Sequence, residues 1–144
     1  MANHELSKQE ALSKAQAYCA RAEHCMADVQ RKLHEWGVNP DFFDFIEQNL
    51  RAEGYVNDVR FCQAYVHDKV AYQSWGRLKI QAGLQALRLP DSAIHAALED
   101  MDWAQYIANL RKLAQSRRTD TQEKRFRFLL QRGFTYEEIK KYSL

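Results

Sequence analysis

Two kinds of group in this chain of 144 residues could carry chemistry: scattered thiols and imidazoles, and one dense run of cations. Cys19 and Cys25 stand six residues apart with His24 beside them. On a helix that spacing leaves the two sulfurs about 120° apart round the axis, and zinc sites use tighter ligand spacings. Cys19, Cys25 and Cys62 are an odd number and form no Cys-x-x-Cys pair, so they read as reduced thiols packed in helices or at a helix start. Glu23-His24-Cys25 and Glu99-Asp100 set reactive types side by side, yet adjacent helical residues do not face one another. His34, His67 and His95 fall inside helical segments and read as neither catalytic nor metal-binding. The phosphate loop, the nucleophile elbow and the His-Glu-x-x-His pair are all missing. The sequence thus predicts no catalytic residue, no metal ligand and no cofactor.

The cations are more telling. Arg111, Lys112, Arg117, Arg118, Lys124, Arg125, Arg127 and Arg132 are opposed over the same stretch only by Asp120 and Glu123, giving a local net charge of +6 in a chain whose total is +2. Residues 133–144 balance, so residues 1–110 carry −4. Lys124, Arg125, Arg127 and Arg132 share one helical segment. Lys124 and Arg127 are three apart, and Arg125 and Arg132 seven apart, so each pair projects together. Arg117 and Arg118 extend the charge into the preceding connection, and Arg77 and Lys79 form a second basic cluster. Repulsion of this density points to phosphates or an acidic protein surface. Trp36, Trp75 and Trp103 each fall at a helix junction, where a large ring can fill the gap between units.

The elements that must position these groups repeat. Leu33-His34-Glu35-Trp36-Gly37-Val38, Leu84-Gln85-Ala86-Leu87-Arg88-Leu89 and Leu129-Leu130-Gln131-Arg132-Gly133-Phe134 share one pattern, an apolar residue, helix formers, a turn residue and a second apolar residue. Each runs into a helix start, at Asn39-Pro40-Asp41, Pro90-Asp91-Ser92 and Thr135-Tyr136-Glu137, and the copies lie 51 and 45 residues apart. Such periods belong to stacked helical units. Five glycines and two prolines leave little material for hairpins, and helix formers fill the segments between them. The expected fold is all-α: three tandem three-helix repeats, helix-turn-helix-like, in an elongated, curved arrangement. Residues 1–7 form an N-terminal tail, and the repeats span 8–54, 55–100 and 101–144. No stretch approaches the roughly 20 apolar residues of a membrane span, and no basic region followed by an apolar run opens the chain. The expectation is a cytoplasmic monomer with no membrane association.

Local signals set the helix ends. Ser7-x-x-Glu10 and Thr135-x-x-Glu138 read as capping boxes, and Asp120-Thr121-Gln122-Glu123 as an acid-capped start. Gly37, Gly54 and Gly133 supply helix stops. Arg88 replaces glycine in the middle copy, so that turn is expected to close differently. Leu78, Ile80, Leu84 and Leu87 are expected on one apolar face, and Phe126, Leu129 and Leu130 on another. Three-helix units with a short last turn invite comparison with helix-turn-helix DNA readers. Here the third helices open on Pro40-Asp41, Asp91-Ser92 and Tyr136-Glu137-Glu138. Carboxylates there would repel phosphates, so sequence-specific major-groove reading is not expected.

Several segments together resemble the RecX family. Tyr18-Cys19-Ala20-Arg21 with the Leu33-x-x-Trp36-Gly37 helix end resembles its first repeat. Gly54-Tyr55-Val56-Asn57-Asp58-Val59-Arg60-Phe61 resembles its most recognisable segment, Gly-Tyr-Leu-Asp-Asp-x-Arg-Phe. Trp75-Gly76-Arg77-Leu78-Lys79-Ile80 followed by Leu84 resembles its Gly-x-x-x-Ile-x-x-x-Leu stretch, and Lys124 to Ile139 its closing repeat. Two departures stand out: Cys25 where the family usually has a capping Ser, and Arg88 where it has Gly.

The resemblance implies a regulatory binding protein rather than an enzyme. It would modulate RecA, most often by inhibition, from within the groove of the RecA–DNA filament, limiting filament extension, ATPase, strand exchange and co-protease activity. From charge, the contact residues toward partner and DNA are Arg77, Lys79, Arg117, Arg118, Lys124, Arg125, Arg127 and Arg132, with phosphate-backbone contacts to single- or double-stranded DNA. The alternative is a free-standing, non-specific DNA-binding helical-repeat protein.

Overall fold

A computed structural model of the chain describes residues 5–143. These form nine α-helices, and no strand occurs among the described residues. They divide into two compact units, one running through Phe61 and the other from Cys62 onward. Of the expected tail, residues 1–4 lie outside the described residues.

The first unit holds α1 (Lys8–Arg21), α2 (Met26–Glu35), a 3-10 turn (Pro40–Phe42), α3 (Phe43–Ala52) and the opening of α4 (Asp58–Asp68). The expected capping box starts α1: Ser7 Oγ accepts from the Glu10 N–H at 3.1 Å, and the Glu10 carboxylate accepts from the Ser7 N–H at 3.0 Å. At the start of α2, Asp28 Oδ2 accepts from the Cys25 N–H at 3.4 Å, so one arm of a reciprocal cap persists without the family's Ser. Ala15, Val29, Leu33, Ile46 and Leu50 are fully enclosed, with Tyr18, Trp36, Phe42 and Phe43 packed round them.

The segment from Gly54 to Phe61 is a joint. Asn57 Oδ1 accepts from the Arg60 N–H at 2.9 Å and so caps α4. The Arg60 guanidinium donates back to the Gly54 carbonyl at 2.8 Å and pairs with Glu23, while Arg51 reaches Asp58 at 3.2 Å. The end of α3 is thereby tied to the start of α4.

The second unit contains the rest of α4, a single π-type turn (Lys69–Gln73), α5 (Arg77–Ala86), α6 (Asp91–Glu99), α7 (Trp103–Ser116), α8 (Gln122–Gln131) and α9 (Tyr136–Tyr142). Ile80, Leu84, Tyr106, Leu110, Leu129, Phe134 and Ile139 are sealed from solvent. Three expectations are corrected here. Leu78 and Leu130 are 49% and 45% exposed, because Ile80 and Leu129 take the inward positions of those helices. Thr121, not Asp120, caps α8, its hydroxyl accepting from the Lys124 N–H at 3.2 Å.

The third correction is the Arg88 turn, which closes like its two counterparts. The Leu89 N–H donates to the Leu84 carbonyl at 3.2 Å, matching Val38 to Leu33 at 3.0 Å and Phe134 to Leu129 at 3.3 Å. Arg88 adopts φ +64° to allow this, beside +71° at Gly37 and +101° at Gly133. The six-to-one bond satisfies an orphan carbonyl at the helix end, and holding an L side chain in that region costs about 1–2 kcal/mol.

One crossing governs the second unit. The Gly76 N–H donates to the Arg132 carbonyl at 2.7 Å, and the Leu78 N–H to the Gly133 carbonyl at 3.0 Å. A Cβ on Gly76 would lie 2.1 Å from the Gly133 carbonyl carbon, and one on Gly133 would lie 2.5 Å from Lys79 Cβ. The start of α5 and the end of α8 meet backbone to backbone, which only paired glycines permit.

The Arg88 turn yields a prediction. Arg88→Gly raises unfolding stability by about 1 kcal/mol in denaturant titration, and a loss of stability would contradict the account of that turn.

Candidate functional site

The Gly76–Gly133 crossing gathers cations that are far apart in sequence. Trp75, just before α5, carries the Lys69 ammonium 4.4 Å and the Lys79 ammonium 4.5 Å from its ring centroid. Lys69 also sits 5.1 Å from the Tyr65 ring. Arg132 reaches the same place from the end of α8, donating to the Gln73 carbonyl and, at 3.4 Å, to that of Ser74. The π-type turn makes this possible: Ser74 ends it with φ +53°, and the Trp75 N–H donates back to the Lys69 carbonyl at 3.1 Å. Single π turns recur at functional sites. Lys69 was not among the expected contact residues, although it flanks Trp75 six residues upstream as Lys79 does four residues downstream.

Arg77 faces a different task. Its guanidinium lies 3.0 Å from Glu138 Oε2, a charge contact without hydrogen-bond alignment. The other oxygen, Glu138 Oε1, accepts from the Tyr106 hydroxyl at 2.7 Å and from the Thr135 N–H at 2.9 Å. The Tyr106 oxygen in turn accepts from the Arg77 N–H at 3.0 Å. Burial, with the neighbouring Glu138 carboxylate, pushes the Tyr106 hydroxyl far above its ordinary range, so it stays a neutral donor. Glu138 is only 6% exposed, and Arg77 compensates its charge. This expected contact residue is part of the scaffold, joining α5, α7 and α9.

The remaining cations fall on two sides of α8. Arg125 and Arg132 share one side at the edge of the core. Arg125 donates to the Asp120 carbonyl at 3.4 Å, and Arg117 stacks 4.2 Å over the Phe128 ring with Asp120 Oδ2 at 4.0 Å. Arg118 is exposed and donates to the Gln115 carbonyl at 3.4 Å. Lys124 and Arg127 project elsewhere, Arg127 pairing with exposed Glu123 at 3.4 Å. Beside them Phe126 and Tyr136 pack ring to ring at 5.1 Å, leaving Tyr136 58% exposed.

Among the described residues the thiols and imidazoles assemble no site. Cys19, Cys25 and Cys62 are buried thiols outside any disulfide, and desolvation pushes the Cys19 thiol up to about 11, which keeps it protonated and a poor nucleophile. His24 stacks on Tyr18 at 3.9 Å, and His95 pairs with exposed Glu99 at 3.1 Å. Among the described residues no cluster of His, Cys, Asp or Glu could hold a metal, and no helix is long and apolar enough to cross a membrane. Trp36 and Trp75 are partly covered at their junctions, whereas Trp103 is 44% exposed and stacks on Tyr106 at 5.0 Å.

Comparison with known proteins now decides the family. The sequence profile described as RecX, second three-helix domain, matches residues 57–98. Regulatory protein RecX of Chromohalobacter salexigens is 31% identical over 142 residues, which is 94% of this chain and 93% of that protein. Its counterpart in Xanthomonas axonopodis pv. citri is 31% identical over 92% of this chain and 85% of its own length. The chain belongs to the RecX family.

That family consists of regulatory proteins rather than enzymes. The Geobacillus kaustophilus RecX is 30% identical, but this chain spans only 48% of that relative's length. Two solved RecX structures share the fold at 20% identity. One, a crystal structure of regulatory protein RecX, superposes with TM-score 0.79 over 99% of this chain and 81% of its own. The other, RecX from Lactobacillus salivarius, superposes with TM-score 0.81 over 94% and 93%. In this chain the family-like segment from Gly54 to Phe61 is explained by the joint between α3 and α4, and Gly76 by the backbone crossing.

The Arg77 network separates scaffold from contact surface. Arg77→Met leaves the Glu138 carboxylate enclosed without its counter-charge, so stability falls by about 1–3 kcal/mol in thermal or denaturant unfolding. A variant as stable as the parent would return Arg77 to the candidate contact face.

Proposed function

We propose that this chain modulates the RecA recombinase, chiefly as an inhibitor. It would do so by binding in the groove of the RecA–DNA filament and limiting filament extension, ATPase, strand exchange and co-protease activity. The observation that carries this reading is the 31% identity to proteins named regulatory protein RecX across nearly the whole of both chains. The charge distribution supports it. A filament groove presents acidic protein and DNA phosphates, and the candidate contacts Lys79, Arg117, Arg118, Lys124, Arg125 and Arg127 supply the opposite sign. Their repeats, in this reading, span 8–54, 55–100 and 101–144, and the protein acts as a monomer.

The test is the ATPase of RecA on single-stranded DNA with the purified chain added, wild type beside Lys124→Ala/Arg127→Ala. Wild type lowers the rate, and the variant needs several-fold more protein for the same effect. An ATPase untouched by wild type would refute the regulatory reading, and an undiminished effect of the variant would remove the α8 face from the contact surface.

A further inference from the structure

We propose that Lys69 and Lys79, held on Trp75, form a binding site for the phosphodiester backbone of nucleic acid. The site deepens the proposed function and rests on it for its biological setting, although the chemistry needs only a strand of phosphates.

The two ammonium groups lie 4.4 and 4.5 Å from one ring centroid, so they are no more than about 9 Å apart. Neither has a carboxylate within ion-pair distance among the described residues. Each lysine stem is partly covered, and Lys69 is held by Tyr65 as well. Cations fixed in advance lose less side-chain freedom on binding than free lysines do. Ordinary surface lysines either pair with acids or move; these two are neither paired nor loose.

The geometry favours phosphate over the other ligands a cationic surface could take. The Trp75 ring is already engaged by two ammonium groups, so it offers little platform for base stacking of the kind that aromatic single-strand binders use. The amides at the start of α5 are likewise engaged, Gly76 by Arg132, Leu78 by Gly133 and Arg77 by Tyr106. The helix end therefore adds no anion site of its own, and the ammonium groups alone remain to meet a ligand. A strand carries one charge per about 3.4 Å of rise in a duplex, so the span between the lysines reaches two or three successive charges. Arg132, engaged with the carbonyls of Gln73 and Ser74, adds positive potential at the same place. Recognition through the backbone carries no base information, so the site is indifferent to sequence.

The test measures binding of the full chain to a fluorescein-labelled oligothymidylate by anisotropy, without RecA, between about 50 and about 200 mM salt. Wild type is compared with Lys69→Gln/Lys79→Gln, with each single Lys→Gln variant, and with the charge-keeping Lys69→Arg/Lys79→Arg. Melting curves check folding. The expected result is that the double Lys→Gln variant binds about tenfold more weakly at the lower salt. Its log–log salt slope shrinks by about 1.4, about 0.7 for each single variant, and the Arg variant keeps the wild-type slope. Wild type that does not bind the oligonucleotide overturns the proposal, as does an unchanged slope in the Lys→Gln variants. Equal loss in the Arg variant also overturns it, since packing and not charge would then be at work. A double variant that binds naked DNA normally but fails to inhibit RecA would assign the lysines to a protein surface. The regulatory reading fails separately, in the RecA assay, where wild-type protein without effect sinks it whatever the oligonucleotide data show.

Discussion

Two chain segments crossing with no side chain between them set the second unit. The Gly76 and Leu78 N–H groups donate to the Arg132 and Gly133 carbonyls, and the backbones come so close that neither Gly76 nor Gly133 leaves room for a Cβ. Several of the cations in that unit take their places from this contact. It delivers Arg132 to the end of the π-type turn, lays Lys79 against Gly133, and fixes the start of α5 where Arg77 meets Glu138. Gly76 has an ordinary extended φ of −78°, so its necessity is one of space and not of conformation.

The crossing also divides the cations by role. Charge alone grouped the +6 run at 111–132 with a second cluster at Arg77 and Lys79 as expected contacts. The folded chain instead uses Arg77 to compensate a buried carboxylate and Arg132 to cap carbonyls, while Lys69 and Lys79 stand unpaired on an indole ring. Buried charges need partners because desolvation penalises them, so the most enclosed carboxylate claims the nearest arginine. What remains over is the charge available to a ligand. In a RecX-family chain that surplus is the natural place to look for contacts with a polyanionic partner.

Much of the helical frame was legible in the sequence because its signals are local. The boxes Ser7-x-x-Glu10 and Thr135-x-x-Glu138 close as read, and Gly37 and Gly133 end their helices. Arg88 shows the limit of a residue-type rule: the six-to-one bond and the packing of Leu89 outweigh the cost of a left-handed arginine. The Arg77–Glu138 pair and the Lys69–Trp75–Lys79 group were illegible for a different reason. Residues 61 positions apart leave no joint periodicity, and the π-type turn shifts Lys69 off the regular helical spacing from which a face would be read. Asp120 looked like the cap of α8, but Thr121 is the residue whose extended backbone aims an oxygen at the helix amides.

At Gly76 space, rather than backbone conformation, makes glycine indispensable, and a pair of substitutions tests this. Gly37 has a left-handed φ of +71° with nothing within 4 Å of an added Cβ, whereas Gly76 has a permissive φ and a Cβ contact of 2.1 Å. Denaturant unfolding of Gly76→Ala and Gly37→Ala, side by side, separates the two causes. The expected loss is about 3 kcal/mol or more for Gly76→Ala and only about 1 kcal/mol for Gly37→Ala. A smaller loss at Gly76 than at Gly37 would contradict it.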